Sequence, residues 1–374
     1  MNTKQLCPGH NFVFIDSGDA KAFFSPAYPC PSVAVYRNET KRTDWMSMEL
    51  FVQMKQYESE DPYRHEFLVD GNTTPSHESV DSRKQLFQFA AFQWDHQHRL
   101  FAFAIGIYDS TARFFRFDPS SVAVSQSFSY RDNPKLLAEF FLRYSALSPT
   151  ERGFDPTVTP ATDMERELYR SHLKDYLQRV KEENLRVYPR IQQILNQNMP
   201  VFKIQVNDLE GRVHWYLGCS PPIVQFNSAP CGRLTRGYVA VPALLTEASK
   251  KGRLYWLKDC WRSDHDESEP TKYQYLKTAG VPNLPELVHG ADIIVENELQ
   301  KTENYLLLQD DNILRAPRSS RPQRMVHHRL VQGLLIPLWY VESARELLRV
   351  GRDTLESAHS EFVHPRYPSN LPSL

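Results

Sequence analysis

The chain has 374 residues, which at about 150 residues per domain predicts two domains. Hydrophobic residues make up 41% and aromatics 12%, so the chain can bury real cores and is not disordered throughout. The 44 basic and 45 acidic residues leave a net charge of -1, which excludes a general electrostatic pull toward nucleic acid or anionic lipid. Five cysteines, Cys7, Cys30, Cys219, Cys231 and Cys260, are odd in number and form no CxxC pair; reduced thiols are expected rather than a disulfide framework or a zinc ribbon. Asp16 and Asp19 stand where a signal peptide would be apolar, and the longest apolar run, Leu330 to Tyr340, is broken by Gln332 and Pro337, far below the roughly 20 residues that span a bilayer. An intracellular protein of cytoplasm or nucleus is expected, with neither nucleic acid nor membrane as a partner.

In chain order, residues 1–24 read as a tail. Val33 and Val35, then Leu50 to Met54, predict two strands around a polar turn. Residues 59–80 are polar and proline-containing, a loop with no core residues. A helix is expected from about Ser82, its hydroxyl as cap, with Leu86, Phe89, Ala90 and Gln93 on one face. Leu100 to Tyr108 and Ala112 to Phe117 predict a hairpin turning at Asp109-Ser110. Asn133 and Pro134 open a helix lined by Leu136, Leu137, Phe140, Phe141 and Tyr144. These elements make an α+β domain over residues 25–148.

Residues 149–200 are expected to be a proline-containing linker and one amphipathic helix, with Tyr169, Leu173, Tyr176, Leu177 and Val180 as its stripe and Arg166, Lys174, Arg179 and Lys181 opposite. Packing against a neighbour or simple solvation accounts for such a helix. Val201–Val206 and Val213–Leu217 flank a turn ending at Gly211, a second hairpin, and further strands are expected near Tyr238–Val241 and Leu254–Leu257. A long helix follows Arg329, with Ala344, Leu347, Leu348, Gly351, Leu355, Ala358 and Phe362 on one side.

The stretch CGRLTRGYVAVPALLTEASKKGRLYWLKDCWR, from Cys231 to Arg262, parses as a glycine turn, a strand, a connection and a strand carrying Lys258. Gly232 and Gly237 have the outer spacing of G-x-G-x-x-G-x-V, with Val239 at the valine. Glycines over phosphates let the backbone approach, and a strand lysine pairs with phosphate oxygens. Leu234 occupies the middle glycine position, and two glycines beside a hairpin are by themselves more often a turn than a phosphate cradle.

GRLTRGYV, then LYWLKDCWR, then KYQYLKTAGVPNLP resemble the signature of the fungal-type protein kinase family. Upstream, KRTDWMSMELFVQMK, the block from RKQLFQF to FFRFD, and NPKLLAEFFLRYSALSPTERGFDPTV are similar to that family in order and spacing, as are HHRLVQGLL and LRVGRDTLESAH downstream. The likeness extends over roughly residues 25–362. It implies a protein-kinase-like domain over residues 201–374, comprising a five-strand antiparallel N-lobe with a helix and the first helix of a C-lobe. It also implies ATP and magnesium as cofactors, Gly232, Gly237 and Val239 over the phosphates, and Lys258 pairing with them. The glutamate partner of Lys258 is expected at Thr271; either Glu269 substitutes from a shifted position, or Lys258 lacks its partner.

The resemblance further implies an H-R-D-x-S-x-x-N catalytic loop and a D-x-G metal site. The sequence instead reads FVHPRYPSNLPSL, with His364 and Asn370 as outer remnants and Arg366 near the expected aspartate. A truncated or degenerate kinase domain, inactive by itself, is the expectation, with no metal ligands assigned. The chain end is either natural or a misplaced gene boundary. The competing reading is a non-catalytic pseudokinase or interaction protein that holds no nucleotide. A protein partner or protein substrate is expected in either case, of unknown identity.

In the first domain, Pro31-Ser32 followed by Glu49, Gln53 and Lys55 is reminiscent of the metal-binding pattern of restriction-endonuclease-like folds. Ser32 and Gln53 stand at the carboxylate positions, so nuclease chemistry is not expected on what remains a nuclease-like scaffold, and Glu49 and Lys55 read as strand-surface charges. His96 and His98, two apart, and His327 and His328, adjacent, do not have metal-ligand spacing. Arg315, Arg318, Arg321 and Arg324 form a local basic run, expected as an exposed insert. Cys260, beside Lys258, is expected to be a packing residue.

Overall fold

The computed structural model describes residues 12–17, 30–40, 44–64, 76–183, 188–197, 199–219, 223–224, 230–244, 252–307, 322–335, 338, 341 and 343–363. It is a mixed α+β structure of two compact units that are not consecutive in sequence. One comprises Met1–Val158, Pro221–Arg236 and Lys301–Val326; the other comprises Thr159–Ser220, Gly237–Gln300 and His327–Leu374. No helix among the described residues is long and apolar enough to cross a membrane.

In the first unit, β1 (Phe12–Asp16), β2 (Val33–Arg37) and β3 (Leu50–Lys55) form an antiparallel meander. Helix α1 (His77–His96) then carries the chain to β4 (Ala102–Tyr108), which lies parallel to β3. The hairpin continues into β5 (Thr111–Asp118), flanked by β6 (Ser121–Val124) and β7 (Phe128–Ser129). Asp109 takes a positive φ of 51° at the β4–β5 turn, where aspartate is among the residues that tolerate left-handed backbone.

Strand alternation divides the core. Ala34, Tyr36 and Phe51 pack with Leu86, Phe89 and Ala90 of α1 on one face. Val35, Leu50, Val52 and Ile105 pack with Tyr144 of α2 (Lys135–Ala146) on the other, where Phe114 stacks on Phe140 at 4.7 Å.

Several local expectations need correction. Ser76, not Ser82, caps α1, accepting from the Ser79 N–H; Ser82 lies within the helix and is fully buried. The stretch read as a coreless loop holds the buried Asp61 and Tyr63, because Arg113 reaches Asp61 at 2.8 Å and two opposite charges can be buried together where one alone cannot. Glu49 is not a surface charge: it is buried, 3.1 Å from the equally buried Arg152, and Arg99 donates to the Met48, Glu49 and Arg152 carbonyls around it. Lys55 is half-buried and lies 3.7 Å from Glu60. The start of the expected linker therefore packs into the first unit. Phe12–Asp16, within the stretch read as a tail, is a strand.

The segment Lys301–Val326 returns to this unit. Its helix α6 (Asn304–Leu307) begins where Asp118 accepts the backbone N–H groups of Glu303 and Asn304, and Asn304 is completely buried. Arg315, Arg318 and Arg321 fall outside the described residues; Arg324 donates to the Tyr305 hydroxyl at 2.8 Å.

The second unit begins with β8 (Val158–Pro160), α3 (Asp163–Glu182) and α4 (Pro189–Asn196), followed by the hairpin β9 (Val201–Asn207) and β10 (Val213–Cys219). After the two-residue β11 (Ile223–Val224) come β12 (Arg236–Pro242), β13 (Tyr255–Ser263), α5 (Glu269–Thr278), β14 (Leu287–Asp292) and the small ladder β15 (Ile294–Val295) with β16 (Glu298–Leu299). Strand β17 (Met325–Gly333) and helix α7 (Ala344–Val363) complete the chain. The main sheet runs β14-β17-β13-β12-β10-β9-β8. With β11 paired to β12 it has eight strands, more than the five expected.

The sheet also curls. Gln205 of β9 donates to the Ile294 carbonyl at 3.0 Å, and Arg329 of β17 donates to the Gln205 carbonyl at 2.8 Å, so elements far apart in strand order meet. Helix α3 packs on this sheet through Tyr169, whose hydroxyl donates to the Val239 carbonyl; Leu173, Tyr176 and Val180 are buried as the stripe predicts. Helix α7 is attached at Pro282, whose carbonyl accepts from Ser357 at 2.8 Å. Much of its apolar side, Leu347, Leu348 and Leu355, is exposed.

Candidate nucleotide site

Lys258 lies on β13, a strand whose alternation sends Leu257, Asp259 and Trp261 to one side and Lys258, Cys260 and Arg262 to the other. Leu257, Asp259 and Trp261 are buried, while Lys258 keeps its ammonium partly exposed. Helix α5 positions its partner. Ser268 caps the helix by accepting from Thr271, and Glu269 and Pro270 open the first turn. Gly290 of β14 has no side chain where Pro270 sits; a Cβ there would come within 3.0 Å of the Pro270 ring. This seat holds Glu269 over the sheet, where its carboxylate accepts from the Lys258 ammonium at 2.5 Å.

Of the two alternatives left by the sequence, the structure selects the shifted partner. Thr271, at the position where the glutamate was expected, hydrogen-bonds Ser268 through its hydroxyl at 2.7 Å.

The other expected site residues have different surroundings. Gly237 is the second residue of β12, and a Cβ there would overlap the Trp256 indole of β13. Val239 is buried in the sheet core. Gly232 falls in the first unit, where its N–H donates to the Pro119 carbonyl at 2.8 Å with a φ of 111° that favours glycine. Leu234, at the middle glycine position, is buried with a φ of 40°. His364 and Asn370 lie outside the described residues. Cys260 is buried, as a packing residue should be.

Two polar groups near Lys258 were invisible in the sequence. Arg262 grips Asp292 of β14 through Nε at 2.8 Å and Nη2 at 2.5 Å, and His328 adds a contact at 3.0 Å. Burial raises the Asp292 carboxyl, but hydrogen bonds from His328 and Arg262 outweigh that and hold it below the usual carboxylate range. On the other side of the sheet, Asp259 accepts from His327 at 2.5 Å and lies 3.3 Å from Arg329, all three fully buried, with His327 stacked on Trp261 at 4.6 Å. The adjacent histidines thus face opposite sides and serve separate carboxylates. Both groups are assembled from distant strands, so no local spacing betrays them.

A strand lysine held by a glutamate at the start of a helix packed on the same sheet is the arrangement by which kinases place an ammonium against nucleotide phosphates. The family model for fungal protein kinases matches residues 43–365. The chain belongs to the fungal protein kinase family. The match includes both β13 with Lys258 and the first unit's sheet from β3 onward, and the mixed α+β architecture described above is compatible with a kinase-like fold. No curated protein and no solved structure matches the chain.

Proposed function

We propose that this fungal protein kinase family member binds magnesium-ATP in its second unit, with Lys258 contacting the phosphates and Glu269 orienting it. The 2.5 Å Lys258–Glu269 pair carries the reading, because an ammonium fixed by one carboxylate is oriented before the ligand arrives and still has donors left for phosphate oxygens. Phosphoryl transfer to a Ser or Thr of a protein substrate is the family's chemistry. In this chain it is impaired, since Arg366 stands near the place of the family's catalytic aspartate.

Thermal denaturation with magnesium-ATP tests binding. A ligand at 100 times its Kd stabilises by about 2.7 kcal/mol, a rise of several degrees in Tm. Lys258→Met should abolish the rise and Glu269→Gln should reduce it; a full rise in Lys258→Met would sink the assignment. Radiolabelled ATP with a generic protein substrate then reads transfer, expected to be near background.

One observation favours a second reading, an interaction protein without nucleotide. Gly237 is glycine where the Trp256 indole leaves no room for a Cβ, so packing alone accounts for it. No Tm change at millimolar ATP supports that reading.

For the first unit, the same proposal gives a restriction-endonuclease-like scaffold without its chemistry. The antiparallel meander followed by α1 and a parallel β4 supports the scaffold. Ser32, at a carboxylate position, exchanges hydrogen bonds with the Met54 backbone at 2.9 and 3.3 Å instead. Magnesium-dependent DNA cleavage lost in Lys55→Ala would overturn it.

A further inference from the structure

Away from Lys258, the curl of the second unit's sheet brings a side chain of β14 against two from the β9–β10 hairpin, far from it in sequence. Asp208 follows β9, His214 lies on β10 and His289 lies on β14. One ligand atom from each falls within 4.8 Å of the others. We propose that Asp208, His214 and His289 form a binding site for one zinc-class divalent ion, which fastens the β9–β10 hairpin to β14.

The donor set is the first argument. Two imidazoles and a carboxylate suit zinc, which takes three protein ligands and leaves a fourth position for water. Tetrahedral zinc with bonds of about 2.0–2.2 Å separates its ligands by about 3.4 Å. The Asp208 Oδ2 to His214 Nε2 distance is already 2.8 Å, and small side-chain movements open it.

Orientation is the second. The Asp208 Oδ1 accepts the backbone N–H groups of Glu210 and Arg212 at 3.1 and 2.9 Å, which leaves Oδ2 directed at His214. Such outer hydrogen bonds fix a ligating carboxylate. The Arg212 Nε also reaches Oδ2, at 2.7 Å, but its guanidinium is largely exposed and can withdraw into water.

Freedom of the third ligand completes the case. His289 stacks on His214 at 3.7 Å with 12° between the planes. Parallel rings cannot both aim in-plane lone pairs at one ion, so His289 must turn about its Cβ–Cγ bond. Its ring is half-buried, and among the described residues no hydrogen bond holds its nitrogens.

The test uses the full chain, stripped with chelator and desalted, then titrated with zinc chloride by calorimetry and with cobalt(II) chloride by visible absorption. One equivalent of zinc, cobalt d–d bands typical of low coordination, and a zinc-dependent rise in Tm are expected. His214→Gln, His289→Gln and Asp208→Asn should each weaken zinc by about 100-fold or more, beyond the 10–100-fold typical of outer partners. Arg212→Ala should tighten it, a change of opposite sign that loss of fold cannot mimic. Failure of the wild-type chain to retain zinc overturns the proposal, as does unchanged affinity in the two histidine variants.

Discussion

Gly237 and Asp95 show how single residues acquire roles from their surroundings. A Cβ at Gly237 would overlap the Trp256 indole, so Gly237→Ala must displace a packed aromatic ring; overpacking of this kind costs about 1–3 kcal/mol. Urea unfolding should show that loss without ATP present, which separates a packing role from a phosphate-binding one. Asp95 sits in the last turn of α1, where burial pushes its carboxyl up to about 7, with the Arg236 guanidinium opposing the rise. The folded chain therefore retains a proton that the unfolded chain releases near 3.8. Its contribution to stability falls as pH rises from about 4 to about 7, and the penalty is complete above that. Asp95→Asn should flatten this dependence and raise stability at pH 8 by on the order of 1–3 kcal/mol. An unchanged slope of the urea midpoint between pH 5 and 8 would refute it.

Among elements, α1 and α5 show what periodicity tells and what it leaves open. The buried stripe Leu86, Phe89, Ala90 and Gln93 of α1 is legible because a 3.6-residue repeat must face a core. The start is not, since several serines could cap it and tertiary contact decides among them. Ser76→Ala should cost about 1 kcal/mol, the usual worth of a cap. Ser82→Ala should be close to neutral, because the buried Ser82 hydroxyl has no hydrogen-bond partner among the described residues; the two urea midpoints check the contrast. For α5, the family resemblance places the glutamate at Thr271, yet the cap at Ser268 and the Pro270 seat on Gly290 put Glu269 at the lysine. Two residues' displacement at a helix start is a packing outcome.

At the scale of the whole molecule, each unit is assembled from three separate stretches. A cut between consecutive domains, as the linker at residues 149–200 invites, would strip the first unit of 221–236 and 301–326. Within that unit Asn304 is fully buried, donating to the Arg116 and Ser121 carbonyls, and Asp118 accepts two backbone N–H groups from 303 and 304. A fragment of residues 159–374 would expose those groups and the apolar Leu234. It should melt well below the full chain, or not cooperatively, by circular dichroism; a cooperative transition at the full chain's Tm would contradict the intercalated arrangement.

The sequence by itself determined the elements and the family. Alternation, helical stripes and glycine turns are local properties, and the ordered blocks around GRLTRGYV and LYWLKDCWR carry the kinase likeness without reference to folding. It could not determine which charges are buried or which side chains meet. Glu49 reads as a surface residue until Arg152 closes over it, 103 positions away, and whether Lys258 has a partner at all is open until α5 is seated. His214 and His289 become neighbours only because the sheet curls. Burial of charge and convergence of ligands depend on contacts between distant strands, and those are fixed by the tertiary packing of the whole sheet.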